Sequence, residues 1–286
     1  MSDARPVVIV GAPRSGTNML RDVLCALPGF GTWPCDEINY IWRHGNVRVP
    51  SDEFPAALAR PEVVRYVRGR FAAMRRRLGG AELVEKTCAN SLRVSFVDRI
   101  VPEARYLFIR RDGLDAVASA LERWAAKAEW SYLSRKARFV PLTDLPFYGA
   151  RYLANRVYKL VSGRRRLAFW GPALEDMGGL LEQHPLDEVC ALQWQRCVDR
   201  SRQDLAALPA ERWLEVAYED FVADPREALL RICAFLEVDV APAQLDEATA
   251  SVRSGSVGRG RARLGPEAVS RIEGLVGDTR SSLGYR

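Results

Sequence analysis

The sequence has few histidines and no long apolar run, and each absence excludes a class of protein. No apolar stretch in the 286 residues approaches the roughly 20 residues that a membrane-spanning helix needs. With two histidines, His44 and His184, we expect no histidine-based metal site. The six cysteines have neither paired nor metal-like spacing, which favours free thiols in a reducing compartment. The N-terminal MSDARP has no secretory charge and cleavage pattern, so we expect a cytoplasmic protein.

What the sequence does contain is an excess of positive charge, nearly all of it arginine. The formal net charge is +6, and 48% of the residues are hydrophobic. That apolar content can form one sizeable core, so we expect a single domain over residues 1–286. A ligand with several negative charges explains part of the arginine excess. Nucleic acid is the competing anionic partner, but no recognition module is readable, and we expect no nucleic-acid binding.

Residues Val7–Leu20, VVIVGAPRSGTNML, have the form of a phosphate-binding loop. A short β-branched run ends in a glycine-bounded turn, and a helix is expected to begin at Thr17. Backbone N–H groups and a helix N-terminus then converge on an anion. The spacing from Gly11 to Gly16 is that of a P-loop, but Thr17 follows where a kinase or NTPase has lysine. The cation of this loop is Arg14, inside the turn, so the loop suits a different phosphate ester.

Three further segments carry motifs of one known family. Residues Tyr106–Leu121, YLFIRRDGLDAVASAL, place Arg111 at a strand end and Ser119 in the helix that follows. A guanidinium can fork onto a terminal phosphate, although a helix cap at Asp112 explains part of this pattern. Together with the loop, these segments resemble the sulfotransferases that use 3′-phosphoadenosine-5′-phosphosulfate (PAPS). The other two segments are Val216–Leu236, VAYEDFVADPREALLRICAFL, and the basic tail Arg253–Leu264.

The resemblance implies a role for residues in each segment. Arg14 would stand beside the leaving 5′-phosphate oxygen, where relatives have lysine or arginine. Arg111 and Ser119 would bind the 3′-phosphate. Tyr218 would line the adenine pocket, unless its Tyr-Glu-Asp segment only caps the next helix. The product would be adenosine 3′,5′-bisphosphate, and the chemistry needs no metal. The other implied nucleotide contacts are Ser15, Gly16, Thr17 and Asn18 to the phosphosulfate, and Arg259, Gly260 and Arg261 to the 3′-phosphate, with Arg253 as an alternative.

The general base is expected among three residues, because the chain departs from the histidine-base branch of the family. EKTC at residues 85–88 resembles the Lys-Thr-His element of that branch, but Cys88 stands in the histidine position. A thiol is a poor proton acceptor for an alcohol. The carbohydrate and tyrosyl-protein branches place a glutamate shortly after the first helix, where this chain has Asp36 and Glu37. Glu37 is the favoured base, with Asp36 and His44 as alternatives.

Lys86 and His184 complete the set of polar residues that the sequence singles out. The resemblance implies that Lys86 reaches the transferring sulfate and supports catalysis. An ion pair with Glu85 or Asp98 is the competing interpretation of Lys86. His184 lies in a Gln-His-Pro sequence and is expected to be structural.

Strands alternate with helices along the chain, which predicts an α/β fold with a central parallel sheet of about four or five strands flanked by helices. The segments at Gly11, Glu85 and Arg111 each follow a strand, and open parallel sheets bind ligands at the carboxyl ends of their strands. The resemblance implies the same P-loop-like architecture. The predicted strands are Pro6–Val10, Glu82–Glu85, Arg105–Ile109 and Trp213–Val216, with a short one near Phe30–Trp33; the predicted helices are Thr17–Ala26, Glu62–Leu78, Ala89–Ile100, Leu114–Ala126, Asp187–Ala207, Pro225–Leu236 and Pro266–Leu275.

Residues 127–172 interrupt this alternation with many aromatic and basic side chains. An amphipathic helical subdomain that buries its aromatic residues would explain this composition. A second interpretation is a helical lid or acceptor-binding insertion over the site, whose aromatic rings stack on a sugar or hold a lipid. A basic, aromatic face could also rest on a membrane surface.

The sequence therefore predicts a metal-free, PAPS-dependent sulfotransferase of the glutamate-base branch. Its acceptor would carry a hydroxyl or, less often, an amine, and glycans, lipid-linked glycosides, nucleosides, peptide tyrosines and other small molecules all stay open. A P-loop kinase or NTPase is the competing enzyme class and would bind ATP with Mg²⁺. A non-catalytic anion- or nucleic-acid-binding module is the other alternative, and would bind oligonucleotides with steep salt dependence.

Overall fold

Five short strands form the centre of the molecule. The computed structural model describes residues 5–125, 141–145 and 170–285 of the chain. Its strands all pair in parallel, in the order β2-β3-β1-β4-β5. This result confirms the α/β class and the expected parallel sheet. The strands are β1 (Val7–Val10), β2 (Phe30–Thr32), β3 (Glu82–Lys86), β4 (Arg105–Arg110) and β5 (Trp213–Ala217).

Helices alternate with these strands along most of the described chain. They are α1 (Thr17–Ala26), α2 (Asn39–Trp42), α3 (Pro61–Arg77), α4 (Val94–Ile100), α5 (Gly113–Ala125), α6 (Met177–Gln183), α7 (Leu186–Ala206), α8 (Tyr218–Ala223), α9 (Pro225–Leu236), α10 (Pro242–Thr249), α11 (Gly260–Leu264) and α12 (Pro266–Ser282). Single 3₁₀ turns are Ala56–Leu58, Cys88–Leu92, Leu142–Asp144 and Ala210–Arg212.

The alternation of side chains in β1 explains why the sheet needs a helical layer on each face. Val8 and Val10 belong to one buried apolar cluster, which includes residues of α3, α4, α5 and α7. Val7 and Ile9 belong to a second cluster, with residues of α1, α8, α9 and α10. Successive side chains of a strand point to opposite faces. Both faces of β1 are therefore covered, and the ends of the strand are left to build a site.

The position of β1 determines where that site lies. The chain runs from β1 to β2 and β3 on one side of it, and then to β4 and β5 on the other. The strand order thus reverses next to β1, and open α/β sheets bind ligands in the crevice at such a switch point. The loops after β1, β3 and β4 all open into this crevice.

One predicted helix, Ala89–Ile100, is wrong as a single element. A 3₁₀ turn over Cys88–Leu92 is followed by Arg93, whose φ of −154° and ψ of 39° lie outside the helical region, and only then by α4. The fully buried Arg93 donates to Asn90 Oδ1 at 3.0 Å and pairs with Asp52 Oδ1 at 3.4 Å. These contacts of a buried guanidinium override the continuation of the helix.

The remaining predicted elements agree with the structure to within one or two residues, apart from the last helix. That helix, α12, continues to Ser282, beyond the predicted end at Leu275. The short helices α2, α6, α8, α10 and α11 were not predicted. Each has eight residues or fewer, too short to show a clear helical period in the sequence.

Most of the predicted insertion, residues 127–172, lies outside the described residues, and its role as a lid or membrane contact stays a prediction. Its described parts are residues 141–145, with the 3₁₀ turn Leu142–Asp144, and residues 170–172. Within 5–125, 141–145 and 170–285, no helix is long and apolar enough to cross a membrane.

Candidate functional site

The loop between β1 and α1 contains two residues in the left-handed region. Arg14 has a φ of 68° and Gly16 a φ of 92°. A Cβ added at Gly11 would lie 2.5 Å from the carbonyl oxygen of Ile109, so β4 packs directly against the loop. The turn leads straight into α1 at Thr17, whose first N–H groups have no partner inside the helix. The loop therefore has the turn and the helix N-terminus that the sequence predicted, and its role in anion binding stays a prediction.

Two hydroxyl groups of the loop are buried beside this cradle. Ser15 is fully buried, and its Oγ has no hydrogen-bond partner among the described residues. A buried polar group without a partner costs about 1–3 kcal/mol, so an anion in the loop would satisfy an otherwise unfavourable group. Thr17 Oγ1 lies 3.7 Å from Cys88 Sγ. Asn18, the last predicted residue of the loop, is exposed.

Arg14 turns its side chain from the loop towards α5. Its Nε donates to Ser119 Oγ at 2.9 Å, which joins two of the predicted nucleotide-binding residues. Burial, Arg123 and Arg111 all lower the pKa of Arg14, although an arginine remains charged at neutral pH. Three guanidinium groups thus share one region, and their mutual repulsion favours a multiply charged anion between them.

Arg111 lies at the carboxyl end of β4 and is 6% exposed. Its Nη1 donates to the carbonyl oxygen of Arg14 at 3.1 Å, and its Nη2 to that of Ser256 at 2.7 Å. The same Nη2 lies 3.5 Å from Asp115 Oδ2, and the guanidinium carbon 4.3 Å from the ring centroid of Tyr218. The Nε atom is buried with no partner among the described residues. The structure therefore brings Arg14 and Arg111 together, as predicted, and leaves one strong donor unsatisfied.

Tyr218 packs its ring against the phosphate loop. A Cβ added at Gly16 would lie 2.4 Å from a ring carbon of Tyr218, so glycine is required there for contact as well as for φ. The Tyr218 hydroxyl lies 2.7 Å from Ser256 Oγ. Tyr218 is also the first residue of α8. The same residue therefore both begins a helix and contacts the loop.

The basic tail is docked on α5 through Asp115, a residue that the sequence did not single out. Asp115 accepts hydrogen bonds from the Gly258 N–H at 2.8 Å and the Gly260 N–H at 2.6 Å. A Cβ added at Gly260 would lie 2.4 Å from the main-chain carbon of Leu114. Asp115 lies one helical turn after Arg111, and that spacing was the available signal. The predicted tail arginines are all exposed; Arg261 pairs with Glu273 at 2.6 Å, and Arg253 Nη1 donates to the carbonyl oxygen of Ala250 at 3.0 Å.

The favoured base, Glu37, lies between Lys86 and the phosphate loop. Lys86 Nζ is 3.3 Å from Glu37 Oε1, and the Cys88 N–H donates to the same oxygen at 3.3 Å. Cys88 in turn contacts Thr17 of the loop. Burial and the nearby Glu37 raise the pKa of the Cys88 thiol far above its ordinary value, so the thiol stays protonated. Carboxylate, ammonium and anion cradle thus meet in one place.

Asp36 is bound to two cations in the same place. Its Oδ1 accepts from Arg21 Nη1 at 2.9 Å and from Lys86 Nζ at 3.2 Å. Burial acts in the opposite direction, but Lys86 and Arg21 lower the pKa of Asp36 to about 2. Such a carboxylate is a weak base. Although burial opposes the charge of Lys86, the adjacent carboxylates of Glu37 and Asp36 raise its pKa above the ordinary value.

Lys86 does not form the ion pairs that the sequence suggested as an alternative. Glu85 instead accepts hydrogen bonds from Trp42 Nε1 at 3.1 Å, Thr87 Oγ1 at 2.6 Å and Asn90 Nδ2 at 2.9 Å. Thr87 Oγ1 also accepts from the Ile38 N–H at 3.2 Å, next to Glu37. The buried Glu85 therefore holds the segment that carries the base. Asp98, the other candidate partner, pairs with Arg212 at 2.8 Å.

Both histidines have carboxylate partners. His44 Nδ1 lies 2.9 Å from Asp144 Oδ2, and its ring centroid is 3.8 Å from that of Tyr66. His184 Nδ1 lies 2.8 Å from Glu188 Oε2, one helical turn away, in a structural role as expected. The six cysteines are free thiols. In the part of the chain that the structure describes, no three His, Cys, Asp or Glu side chains are grouped to hold a metal ion.

Comparisons with known proteins point to one family. The sequence matches the family model described as "Sulfotransferase family" over residues 6–156 and 155–242. The fold is similar to the sulfotransferase domain from the curacin biosynthetic pathway, with 15% identity, 99% of this chain and 98% of that chain covered, and a TM-score of 0.56. No protein of curated function matches the sequence. Two further similar structures are sulfotransferase STF9 from Mycobacterium avium (13% identity, 100% and 78% covered, TM-score 0.55) and mouse sulfotransferase SULT7A1 complexed with PAP (13%, 97% and 85%, 0.53).

Proposed function

Because the chain belongs to the sulfotransferase family, we propose that it transfers a sulfuryl group from PAPS to a hydroxyl group of an acceptor, with Glu37 as the general base. One observation carries the proposal. The carboxylate of Glu37 lies 3.3 Å from the Lys86 ammonium and is linked through Cys88 to Thr17 of the phosphate loop. A base, a cation and an anion cradle at one point are what in-line transfer from a phosphosulfate requires.

The donor fits the groups that the loop and β4 leave unsatisfied. Ser15 Oγ and Arg111 Nε are buried donors with no partner among the described residues. PAPS carries phosphate and sulfate groups that accept such hydrogen bonds, and when bound it supplies the sulfuryl group. We assign the phosphosulfate to the loop of Arg14 and Ser15, and the 3′-phosphate to Arg111, Ser119 and the docked tail. We assign the adenine ring to Tyr218, which packs against Gly16 of the loop and contacts Ser256 of the tail.

Each residue around Glu37 has a task in the transfer. Glu37 accepts the proton of the acceptor hydroxyl as its oxygen attacks sulfur and the bond from sulfur to the 5′-phosphate oxygen breaks. Lys86, which stays charged because carboxylates surround it, places positive charge beside the transferring group. Arg14 places a second positive charge beside the leaving oxygen. The chain's own cations therefore meet the electrostatic demand of the step.

The two other candidate bases are less suitable. Asp36 has a pKa of about 2 and is bound to both Lys86 and Arg21, so it has little tendency to take a proton near neutral pH. His44 has its Nδ1 on Asp144 and its ring on Tyr66. Neither residue combines contact with Lys86 and a hydrogen bond from the segment next to the loop, as Glu37 does.

The acceptor belongs to the proposal only as a chemical class. We propose a hydroxyl-bearing molecule, such as a glycan, a lipid-linked molecule or a small metabolite, in the cytoplasm. A lid role for residues 127–172, including contact with a membrane surface, is proposed from their aromatic and basic composition alone. We expect no nucleic-acid partner.

The donor is tested by calorimetry in the presence of EDTA. The purified chain should bind adenosine 3′,5′-bisphosphate without a divalent metal, and should bind ATP with Mg²⁺ far more weakly. Incubation with ³⁵S-labelled PAPS and a cell extract then identifies the acceptor from the labelled product. Mg²⁺-dependent binding of ATP without binding of the bisphosphate would contradict the proposal and favour a kinase or NTPase.

The base is tested by Glu37→Gln. The variant should lose at least about a hundredfold in turnover, since general base catalysis contributes about 10²–10⁴-fold. Its affinity for adenosine 3′,5′-bisphosphate should stay within about twofold of the wild type. Glu62→Gln, at an exposed residue paired with Arg60, is the matched control and should keep full activity. Near-normal sulfation by Glu37→Gln would move the base to another residue.

A further inference from the structure

The ammonium of Lys86 is shared between two adjacent carboxylates. Lys86 Nζ lies 3.2 Å from Asp36 Oδ1 and 3.3 Å from Glu37 Oε1, and the Lys86 side chain is 1% exposed. A single buried cation therefore faces two negative charges. The negative charge of Asp36 offsets part of the positive charge of Lys86, so Asp36 reduces the stabilisation that Lys86 gives to ionised Glu37.

A second cation is attached to the far side of Asp36. Arg21 Nη1 donates to Asp36 Oδ1 at 2.9 Å and to the Asp36 carbonyl oxygen at 3.3 Å. The rest of the guanidinium is turned outward, because Arg21 Nη2 and Nε both bind Asp22 Oδ1, at 2.7 and 2.8 Å. Charges thus alternate along a chain: Arg21, Asp36, Lys86, Glu37. The chain begins on α1 and ends at the proposed base.

We propose that Asp36 and Arg21 are positioning residues that set the proton affinity of Glu37 by sharing the ammonium of Lys86. The inference rests on the proposed function only in giving that proton affinity a use. Neither residue contacts the reacting atoms in this arrangement. Asp36 keeps Lys86 from binding Glu37 alone, and Arg21 keeps Asp36 ionised and fixed in place.

Loss of the charge of Asp36 and loss of the charge of Arg21 should shift the proton affinity of Glu37 in opposite directions. If Asp36 loses its charge, Lys86 faces Glu37 alone, a like charge disappears, and ionised Glu37 becomes more stable. The proton affinity of Glu37 then falls. If Arg21 loses its charge, a positive charge disappears and Asp36 is no longer compensated, so the proton affinity of Glu37 rises. Damage to packing alone would not move the same group in opposite directions.

The other groups that face this cluster do not change these signs. The Cys88 N–H donates to Glu37 Oε1 at 3.3 Å, a main-chain donor that none of the substitutions removes, and the Cys88 thiol is uncharged because burial raises its pKa. Thr17 contacts the thiol and carries no charge. Arg14 faces Cys88 from the loop side, and none of the substitutions alters its charge. Among the described residues, Asp36, Lys86 and Arg21 are therefore the charged groups whose balance is altered.

The test is a titration of the Glu37 carboxyl carbon by NMR in protein with ¹³C-labelled glutamate, with the signal assigned from its loss in Glu37→Gln. We expect Asp36→Asn to lower the Glu37 midpoint by about one pH unit. We expect Arg21→Gln to raise it by about half a unit, since that charge is farther away. Asp36→Glu, which keeps the charge, should restore a midpoint near that of the wild type. Asp22→Asn removes the other partner of Arg21, an exposed one, and should leave the midpoint unchanged.

The same shifts should appear in the acid limb of the pH profile of kcat/KM, with PAPS hydrolysis by water as the reaction if no acceptor has been found. Binding of adenosine 3′,5′-bisphosphate checks that each variant is folded. Unchanged midpoints in both Asp36→Asn and Arg21→Gln, or shifts of the same sign, would overturn the inference. An inactive wild type with the expected NMR shifts would instead reject the proposed function and retain the charge coupling. The two failures are therefore distinguishable.

Discussion

Arg14 occupies a backbone conformation that its residue type disfavours. Its φ of 68° lies in the left-handed region, which costs an L-residue with a Cβ about 1–2 kcal/mol. Glycine would avoid that cost, and the same loop already has glycine at Gly11 and Gly16. An arginine at this strained position therefore indicates a role for its side chain. Its place inside the loop is consistent with the proposed role beside the leaving oxygen, and its hydrogen bond to Ser119 fixes the guanidinium against α5.

Arg111→Ala should weaken binding of adenosine 3′,5′-bisphosphate by about 10- to 100-fold, because charge-assisted hydrogen bonds contribute about 1.5–3 kcal/mol. Calorimetry measures the affinity, and circular dichroism checks that the fold is intact. The matched control is Arg226→Ala, which removes an exposed arginine paired with Asp246 and should bind normally. Equal affinity of the wild type and Arg111→Ala would remove Arg111 from the nucleotide site.

Asp36 should make the stability of the fold depend on acid pH. Burial opposes its charge, but Lys86 and Arg21 lower its pKa to about 2 from an ordinary 3.8. The folded state therefore favours the carboxylate more than the unfolded state does. This contribution is fully present above the ordinary pKa and is lost as pH falls from about 4 towards 2. In urea unfolding over that range, the wild type should lose more stability than Asp36→Asn. Parallel losses in the two proteins would contradict the assignment.

Single site residues could be identified from the sequence where their position depends on the local pattern of strand and turn. Arg14 and Arg111 follow strands, and such positions can be identified in a sequence. The partners Ser256 and Arg21 could not be identified in that way. Ser256 meets Arg111 with its main-chain oxygen across 145 residues, and a main-chain contact leaves no residue-type signal. Arg21 lies on the polar face of the amphipathic helix α1, where an arginine is common and gives no sign of a specific partner.

At the scale of elements, Gly16 joins the phosphate loop to α8. Gly16→Ala places a Cβ at φ 92° and 2.4 Å from the Tyr218 ring. Gly80→Ala is a matched control, since Gly80 has a φ of 91° with nothing within 4 Å of the added Cβ. Both variants should lose about 1 kcal/mol of unfolding free energy from backbone strain. Only Gly16→Ala should lose more in urea unfolding and also bind adenosine 3′,5′-bisphosphate weakly. Equal behaviour of the two would show that the ring contact has no importance.

All five strands agree with the predicted bounds to within a residue. The clearest were β1 and β4, because VVIV and YLFI are continuous apolar runs. The segment Ala89–Ile100 shows why helices are harder. Its apolar residues Leu92, Phe96 and Ile100 recur at helical spacing, yet Arg93 leaves the helical region and contacts Asn90 and Asp52. Such a break depends on a buried partner forty-one residues earlier in the chain. Local propensity contains no information about it.

At the scale of the whole molecule, three loops that lie far apart in sequence meet at the carboxyl ends of β1, β3 and β4. The sequence placed each loop after a strand. It did not give the strand order, which brings β3 and β4 to the two sides of β1. That order makes Glu37 and Lys86 neighbours of the phosphate loop on one side and Arg111 its neighbour on the other. The proposed base and the proposed 3′-phosphate site thus lie on opposite sides of β1.

Asp52 connects parts of the molecule that the sheet does not join. Its carboxylate is 3% exposed and pairs with Arg43 at 2.7 Å and Arg93 at 3.4 Å. It also accepts from the Ala173 N–H at 2.9 Å, while the Asp52 N–H donates to the Ala173 carbonyl oxygen at 2.7 Å. Although burial opposes its ionisation, Arg93 and Arg43 lower its pKa. The chain directly after the insertion 127–172 is therefore attached to the segment that follows α2.

Asp52→Ala should lower the free energy of unfolding by about 3–5 kcal/mol, since removal of one partner leaves buried guanidinium groups without a counter-charge. Urea unfolding followed by tryptophan fluorescence measures the loss. Asp246→Ala, which breaks an exposed pair with side chains 65% and 51% exposed, should cost less than about 1 kcal/mol. Because Asp52 also holds the chain that leaves the insertion, turnover should fall more than nucleotide affinity in Asp52→Ala. An equal loss of both would mean that Asp52 supports only the global fold, and that the insertion works independently of this attachment.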